Sequence, residues 1–311
     1  MKYKEWLEIW LENYVKVSSK LRTYLNYRAC VDNHISPRLG DLPLESVNSF
    51  ELQKFITFLT REGNLKTGKG LAPSTVNTVV TVTESSLETA YVAGALSVRP
   101  VCVVKRPRLS YGEACCFSVQ DQKKIEQAIL QSNKRRDRMF GVVLCLYTGV
   151  RIGELLALEW SDVDLKNGTL SVSKTCYYAK NEGGSCERIV GAPKTDSSKR
   201  VMPLPRRIIP LLREQKRNSR SRYVVSHGEK PVSVRSYQES FSKLLQKIGV
   251  RHEDFHALRH TFATRAIECG MDVKSLSEIL GHGNPSITLR RYVHSLNRHK
   301  QEMMDKVGKL L

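Results

Sequence analysis

The sequence predicts a mainly α protein with a small antiparallel β-sheet, divided between an all-helical N-terminal domain and a larger mixed α/β domain. Three features predict it. Four stretches of helical apolar spacing fill the first hundred residues, a Pro-, Lys- and Arg-rich interruption follows, and one alternating stretch, GTLSVSK, stands among later helices. A chain of 311 residues is long enough for two hydrophobic cores, and 41% hydrophobic with 26% charged residues is ordinary globular composition.

The N-terminal helices are expected over Lys4 to Val17, Lys20 to Ile35, Ser49 to Glu62 and Pro73 to Ala93. In the third, Phe50, Leu52, Phe55, Ile56 and Leu59 recur at helical spacing, and the fourth opens on AP-S-T, a helix start. The loops PRLGDLP and GNLKTGKGLAP supply turn residues and lysines. A first domain is therefore expected over 1–98, a linker over 99–115 (RPVCVVKRPRLSYGEAC) and a second domain over 116–311. In the second domain helices are expected at Val119 to Gln131, Arg136 to Thr148 and Ile152 to Glu159. Thr169 to Leu204 suggests two or three antiparallel strands turning at NEGGS and KTDSSK, and helices then return to the end. No internal repeat is present.

The net charge of +19 with a pI near 9.7 points to a polyanionic partner, nucleic acid first and an anionic membrane surface second. Residues 1–98 carry 11 Lys and Arg against 10 Asp and Glu, leaving 39 against 21 beyond them, so the surplus lies in the second part. There KRVMPLPRR and REQKRNSRSR are expected to contact phosphates, with Arg22, Arg28, Lys66 and Lys69 as candidates in the first. The start MKYKEWLEIWLENY is amphipathic and GVVLCLYTGV is too short to cross a bilayer, so a cytoplasmic protein without membrane partner is expected. Eight cysteines form no C-x-x-C pair, which favours reduced thiols; Cys176 and Cys186, flanking a hairpin, are the one pair to examine.

RHEDFHALRHTF, residues 251–262, satisfies two incompatible patterns. His252, Glu253 and His256 fit the H-E-x-x-H of a zinc hydrolase, with Glu278 as a distant third ligand. That pattern needs both histidines on one helix, yet Asp254 is a good N-cap for a helix beginning at Phe255, and Arg259 would set a fixed positive charge beside the metal. No metal is therefore expected. In the other reading Phe255, Leu258, Phe262 and Ala266 form a buried stripe, while His256 and Arg259 share a neighbouring face and point at one oxyanion. YTGVRIGELLALEW adds Arg151 after a Gly turn, with Glu154 close enough to orient it. LGHGNPSITLRRYVHS adds Gly281 as a helix stop, His282 after it, and Tyr292 about two turns into the next helix as a candidate nucleophile.

TGVRIGELLAL, HALRHTFAT and LGHGNPSITLRRYVH stand in the order and spacing of the tyrosine recombinases, or phage integrase family, which the chain resembles over most of its second domain. More weakly, TYLNYRACVDNHISPRLGDLPLESV resembles that family's core-binding domain. The resemblance implies that Arg151 and Arg259 bind a scissile phosphate, Tyr292 attacks it, and His256 and His282 hydrogen-bond it and assist proton transfer. Lys194, in APKTDSSKR, resembles the hairpin lysine that protonates the leaving oxygen; Lys199 is nearby, and the unmatched insertion YAKNEGGSCERIV leaves the choice open. A 3′-phosphotyrosine would conserve the bond energy, so no cofactor is implied.

The implied partners are double-stranded DNA, an accessory excision factor, and further copies in a homo-tetramer at synapsis. The C-terminal helix, with Met303, Met304, Val307, Leu310 and Leu311 on one side, would make the protomer contacts. The start at Met1 is expected to leave no arm-binding domain ahead of it. The ending resembles integrases of Gram-positive mobile elements; a resolvase of chromosome dimers, a catalytically silent DNA-binding regulator and a relaxing type IB topoisomerase remain as alternatives.

Overall fold

The computed structural model describes residues 1–100, 103–109, 115–131, 136–180, 186–191, 198–226, 228–286, 304–305 and 307–308. The chain forms two compact units, Met1–Tyr111 and Gly112–Leu311.

In the first unit α1 (Tyr3–Trp10) continues through a π-helical turn (Leu11–Val15) into α2 (Lys16–Ser18). Likewise α3 (Leu21–Cys30) continues through a π turn (Val31–Ile35) into α4 (Ser36–Leu39). The second rod outruns its expected end at Ile35. The π turn closes on a Ser36 N–H to Val31 carbonyl bond, so Pro37, which has no N–H to give, falls in the first turn of α4. α5 (Ser49–Glu62) has the predicted bounds, fixed by Asn48, whose side chain accepts from the N–H groups of Phe50 and Glu51 at 3.0 and 3.2 Å. α6 (Pro73–Val92) completes the unit. Trp6, Trp10, Leu52, Phe55, Val79 and Leu87 are buried together, and Trp6 Nε1 donates to the Ser86 carbonyl at 3.0 Å, so the indole enters the core with its polar atom satisfied.

Residues 103–109 contain no helix or strand and lie along the first unit. Lys105 and Gln53 exchange two hydrogen bonds, at 2.8 and 3.4 Å, Asn77 Nδ2 donates to the Pro107 carbonyl at 3.2 Å, and Arg106 pairs with Glu84.

The second unit is built around α8 (Arg136–Thr148), in which Phe140 and the run Val142 to Leu146 are buried on every side, as an apolar central helix requires. α7 (Val119–Leu130) and α9 (Ile152–Ala157) flank it in sequence. α9 stops two residues before the expected Glu159, because Leu158 turns extended and its carbonyl accepts from Val224 N–H at 2.9 Å. The β region is larger than expected. Among the described residues five short strands form two sheets: β1 (Val163–Asp164), β2 (Thr169–Val172) and β5 (Arg200–Pro203) in the order β1-β2-β5, and β3 (Thr175–Lys180) with β4 (Cys186–Gly191), all antiparallel. A single sheet was expected because the break at Ser173 and Lys174 leaves no mark in the alternation. The β3–β4 register also removes the Cys176–Cys186 pair: Cys176 stands opposite Val190 and Cys186 opposite Lys180, four positions apart and too far for a disulfide.

α10 (Ile208–Asn218), α11 (Val234–Lys247), α12 (His256–Glu268) and α13 (Val273–Leu280) follow. The incoming chain is bound to α12, with Phe117 N–H donating to Thr261 Oγ1 at 2.9 Å and Arg265 donating to the Phe117 carbonyl at 3.0 Å. Among the described residues no helix is long and apolar enough to cross a membrane.

Candidate active site

Three arginines meet at the last turn of α13. Helix geometry leaves its final carbonyls without partners inside the helix. Ser277 and Glu278 are served locally, by the N–H groups of His282 and Gly281, both at 3.0 Å. The next three carbonyls each accept from a different guanidinium: Ile279 from Arg200 Nε at 2.5 Å, Leu280 from Arg259 Nη2 at 2.7 Å, and Gly281 from Arg151 Nη2 at 3.2 Å. The partial negative charge at a helix C-terminus suits this gathering of cations.

The turn depends on Gly281, which adopts φ +64°, a left-handed conformation that closes the helix; a Cβ there would stand 2.9 Å from Arg200 Nη1. Gly149, also at φ +64°, plays the equivalent part for α8. Its carbonyl accepts from Arg259 Nη1 at 2.8 Å, and an added Cβ would meet the Phe262 ring at 2.5 Å. Arg259 is 2% exposed and thus tied to two helix ends at once.

Glu154 supplies the anion of the cluster. Its Oε1 accepts from Arg151 Nη1 at 2.8 Å and its Oε2 from Arg151 N–H at 3.0 Å, as the sequence suggested. Arg200 bridges the same carboxylate from the other side, at 2.8 and 3.3 Å. Burial pushes the Glu154 carboxyl up, but the hydrogen bond and charge of Arg200, with Arg151 beside it, hold it below the ordinary carboxylate value. Three guanidiniums against one carboxylate leave the site cationic. Arg151, with 35% of its side chain exposed, presents that charge to solvent.

Of the six predicted residues, Arg151, Arg259 and His282 are brought together. Arg259 Nη2 lies 2.8 Å from His282 Nε2; a guanidinium only donates, so this ring nitrogen accepts and the proton of a neutral ring sits on Nδ1. His256 begins α12, three residues before Arg259, with its ring edge-on to His260 at 4.7 Å. Lys194 and Tyr292 lie outside the described residues, and Lys199 is exposed one residue before Arg200. Met304 and Val307 are exposed; Met303, Leu310 and Leu311 lie outside the described residues.

Sequence reading missed Arg200. It had been absorbed into the basic run KRVMPLPRR as a surface phosphate contact. Its strand carries the contrary signal: Met202 is buried and Val201 exposed, so alternation puts Arg200 on the inner face, opposite Val172.

The zinc pattern dissolves in three dimensions. His252 precedes α12 and bonds Ser242 at 3.1 Å, Glu253 pairs with Arg251 at 3.2 Å, and Asp254 Oδ1 accepts from Ala257 N–H at 3.0 Å, one residue ahead of the helix's N-cap at Phe255 instead of at the cap as expected. The helix begins at His256, one residue later than expected. Among the described residues no cluster of His, Cys, Asp and Glu could hold a metal.

A helical unit followed by an α/β unit is the architecture of the tyrosine-type site-specific recombinases. The chain belongs to the phage integrase family: residues 118–299 match the model of that family, and residues 2–60 match its N-terminal SAM-like domain. It is 28% identical to a XerC-like tyrosine recombinase of Caldanaerobacter subterraneus, over 98% of this chain and 82% of that one. It is 25% identical to the ICEBs1 integrase of Bacillus subtilis, over 95% and 80%. Among solved structures, the Tn1549 transposon integrase in complex with transposon right end DNA superposes with a TM-score of 0.78 at 21% identity, over 99% of this chain and 100% of that one. A λ integrase dimer bound to a core site gives 0.68 at 19%, over 92% and 97%. The chain thus carries out site-specific DNA recombination on a tyrosine recombinase fold.

Proposed function

We propose that this recombinase cuts double-stranded DNA with Tyr292 as nucleophile and serves the integration or excision of a mobile element. The observation that carries the reading is the convergence of Arg151, Arg259 and His282 at the end of α13, where fixed donors can meet the charge that grows on a phosphodiester in the transition state. Tyr292 Oη would bond to phosphorus as the bond from phosphorus to the 5′ oxygen breaks. Lys194 protonates that oxygen, and His256 and His282 hydrogen-bond the phosphate and assist the proton transfers. The product is a 3′-phosphotyrosine that a 5′-hydroxyl reverses.

The domains proposed for this task are a core-binding domain over 1–98, a linker over 99–115 and a catalytic domain over 116–311. The working assembly is a homo-tetramer joined through the C-terminal helix, on whose face Met304 and Val307 are exposed; the λ integrase has been solved as a tetramer on a Holliday junction. The site of action is the cytoplasm, with an accessory factor for excision. The XerC-like relative favours a second reading, resolution of chromosome dimers.

The test is capture of the covalent adduct from fragmented host DNA and sequencing of the attached strand. Element ends support integration or excision, and a single chromosomal site supports resolution. An adduct formed by Tyr292→Phe would remove Tyr292 as the nucleophile. Lys194→Ala should be restored by a substrate with sulfur in place of the leaving 5′ oxygen, because a thiolate departs without a proton; restoration of Lys199→Ala instead would move the role to Lys199.

A further inference from the structure

We propose that Arg200 is a positioning residue of the recombination site, a clamp that holds Glu154 and the end of α13 in the one arrangement that aims Arg151 and His282. The proposal rests on the reading of the site given above and adds a residue to it.

Arg200 is badly placed to bind a phosphate. Nε donates to the Ile279 carbonyl, Nη1 to the Ser198 carbonyl and Glu154 Oε1, and Nη2 to Glu154 Oε2. Four of the five N–H groups are thus committed inside the protein. Their acceptors belong to three different parts of the unit: α9 through Glu154, the end of α13 through Ile279, and the chain entering β5 through Ser198. The partners of Arg200 are in turn those of Arg151, which shares Glu154 and takes the Gly281 carbonyl two residues beyond Ile279. His282 follows Gly281, so its position is set by the same turn.

The alternative is that Arg200 merely fills the interior. A buried ion pair is weak evidence for stability, because desolvation offsets the attraction, and an apolar residue opposite Val172 would serve packing as well. An arginine is needed only where three separated acceptors must be held at fixed angles, which a planar guanidinium does and an ammonium does not. A shift of about 1 Å in a group that meets the transition state can lower a rate roughly a hundred-fold.

The experiment uses the full chain and a nicked duplex carrying the sequence recovered from the adduct. For Arg200→Gln we expect DNA binding within about three-fold of wild type and adduct formation at saturating DNA slower by about ten- to a hundred-fold. Arg200→Lys, reaching fewer acceptors, should recover part of the rate. The acid limb of the rate profile should also move upward in Arg200→Gln. Among the described residues Glu154 would then be faced by Arg151 and the buried Cys145 thiol, and burial would favour its protonated form. An Arg200→Gln protein with wild-type rate and acid limb overturns the proposal, as does a loss of binding that accounts for the whole loss of rate. Should Arg200→Gln not fold, Arg200→Lys is read in its place, and a wild-type rate and acid limb there overturn it equally. A wild-type protein that forms no adduct would refute the functional reading instead, and the two failures are distinct.

Discussion

Glu12 in the first unit and Glu154 in the second are both carboxylates braced by arginine, and both are held below the ordinary value by their partners, one on the surface and one in the interior. Glu12 stands on the surface, where hydrogen bonds from Lys16, then Tyr24, with Arg28 adding to them, bring it down to about 2. Glu154 is 4% exposed, burial drives it upward, and it stays ionised only because two guanidiniums enclose it. A depressed carboxyl therefore does not by itself measure how much its partners matter. Water can replace the partners of Glu12 at little loss, whereas nothing replaces those of Glu154.

The largest effects should come from the arginines gathered at the end of α13. Arg259→Ala should lower adduct formation by about a hundred-fold or more, by analogy with lost oxyanion donors. It should also cost about 3 kcal/mol of stability, since the Gly149 and Leu280 carbonyls lose their donors in the interior. Arg151→Ala, with 35% of its side chain in water, should show a similar loss of rate and a smaller loss of stability. Rapid-quench kinetics beside urea denaturation separate the two, and equal destabilisation would contradict the exposure argument.

Next comes the carboxylate itself. Glu154→Gln leaves Arg151 and Arg200 beside a neutral amide and should destabilise by about 3 kcal/mol at neutral pH. The difference should shrink with acid. A depressed carboxyl contributes its full stabilisation above its unfolded value of 4.5 and loses it as pH falls through the lower folded value, so wild type should approach the variant below pH 4.5. A gap that persists in acid would mean that shape, not charge, holds the site. Gly281→Ala should follow at about 1–2 kcal/mol, from its left-handed backbone and the crowding of Arg200.

Much of this cluster was legible beforehand because it is local in sequence. Glu154 lies one helical turn from Arg151 and Gly281 is a helix stop, so periodicity and capping sufficed for these. What could not be read was the long-range part. The pairing of Arg200 with Glu154 joins residues 46 apart, and that of Arg259 with Gly149 joins residues 110 apart. The division of the strands into two sheets and the offset of Cys176 from Cys186 likewise depend on register, which alternation alone leaves open. In the first unit the same limit hid the partners of Arg28, a candidate phosphate contact: it is 26% exposed and bonded to Glu8 and Glu12, because residues 16 and 20 apart fold against one another.

The smallest effect is expected at that arginine, and it tests the contrast most directly. Arg28 donates to Glu8 at 2.6 Å and to Glu12 at 2.8 Å, distances as short as those around Glu154, so a count of contacts would rank the two clusters alike. Exposure ranks them differently: Glu8 and Glu12 keep 57% and 42% of their side chains in water, against 3% for Glu154. Arg28→Ala should therefore shift the melting temperature by no more than about 2 °C at low salt, and by less in 1 M salt, where the Debye length of about 3 Å screens what attraction remains. The chemical step of adduct formation should be unchanged at saturating DNA, because the acceptors of Arg28, which are Glu8, Glu12 and the Tyr24 hydroxyl, all lie in the first unit and it has no part in holding Arg151 or Arg259. A shift comparable to that of Glu154→Gln would show that bond geometry, not burial, sets the strength of these clusters, and would remove the physical ground for distinguishing them.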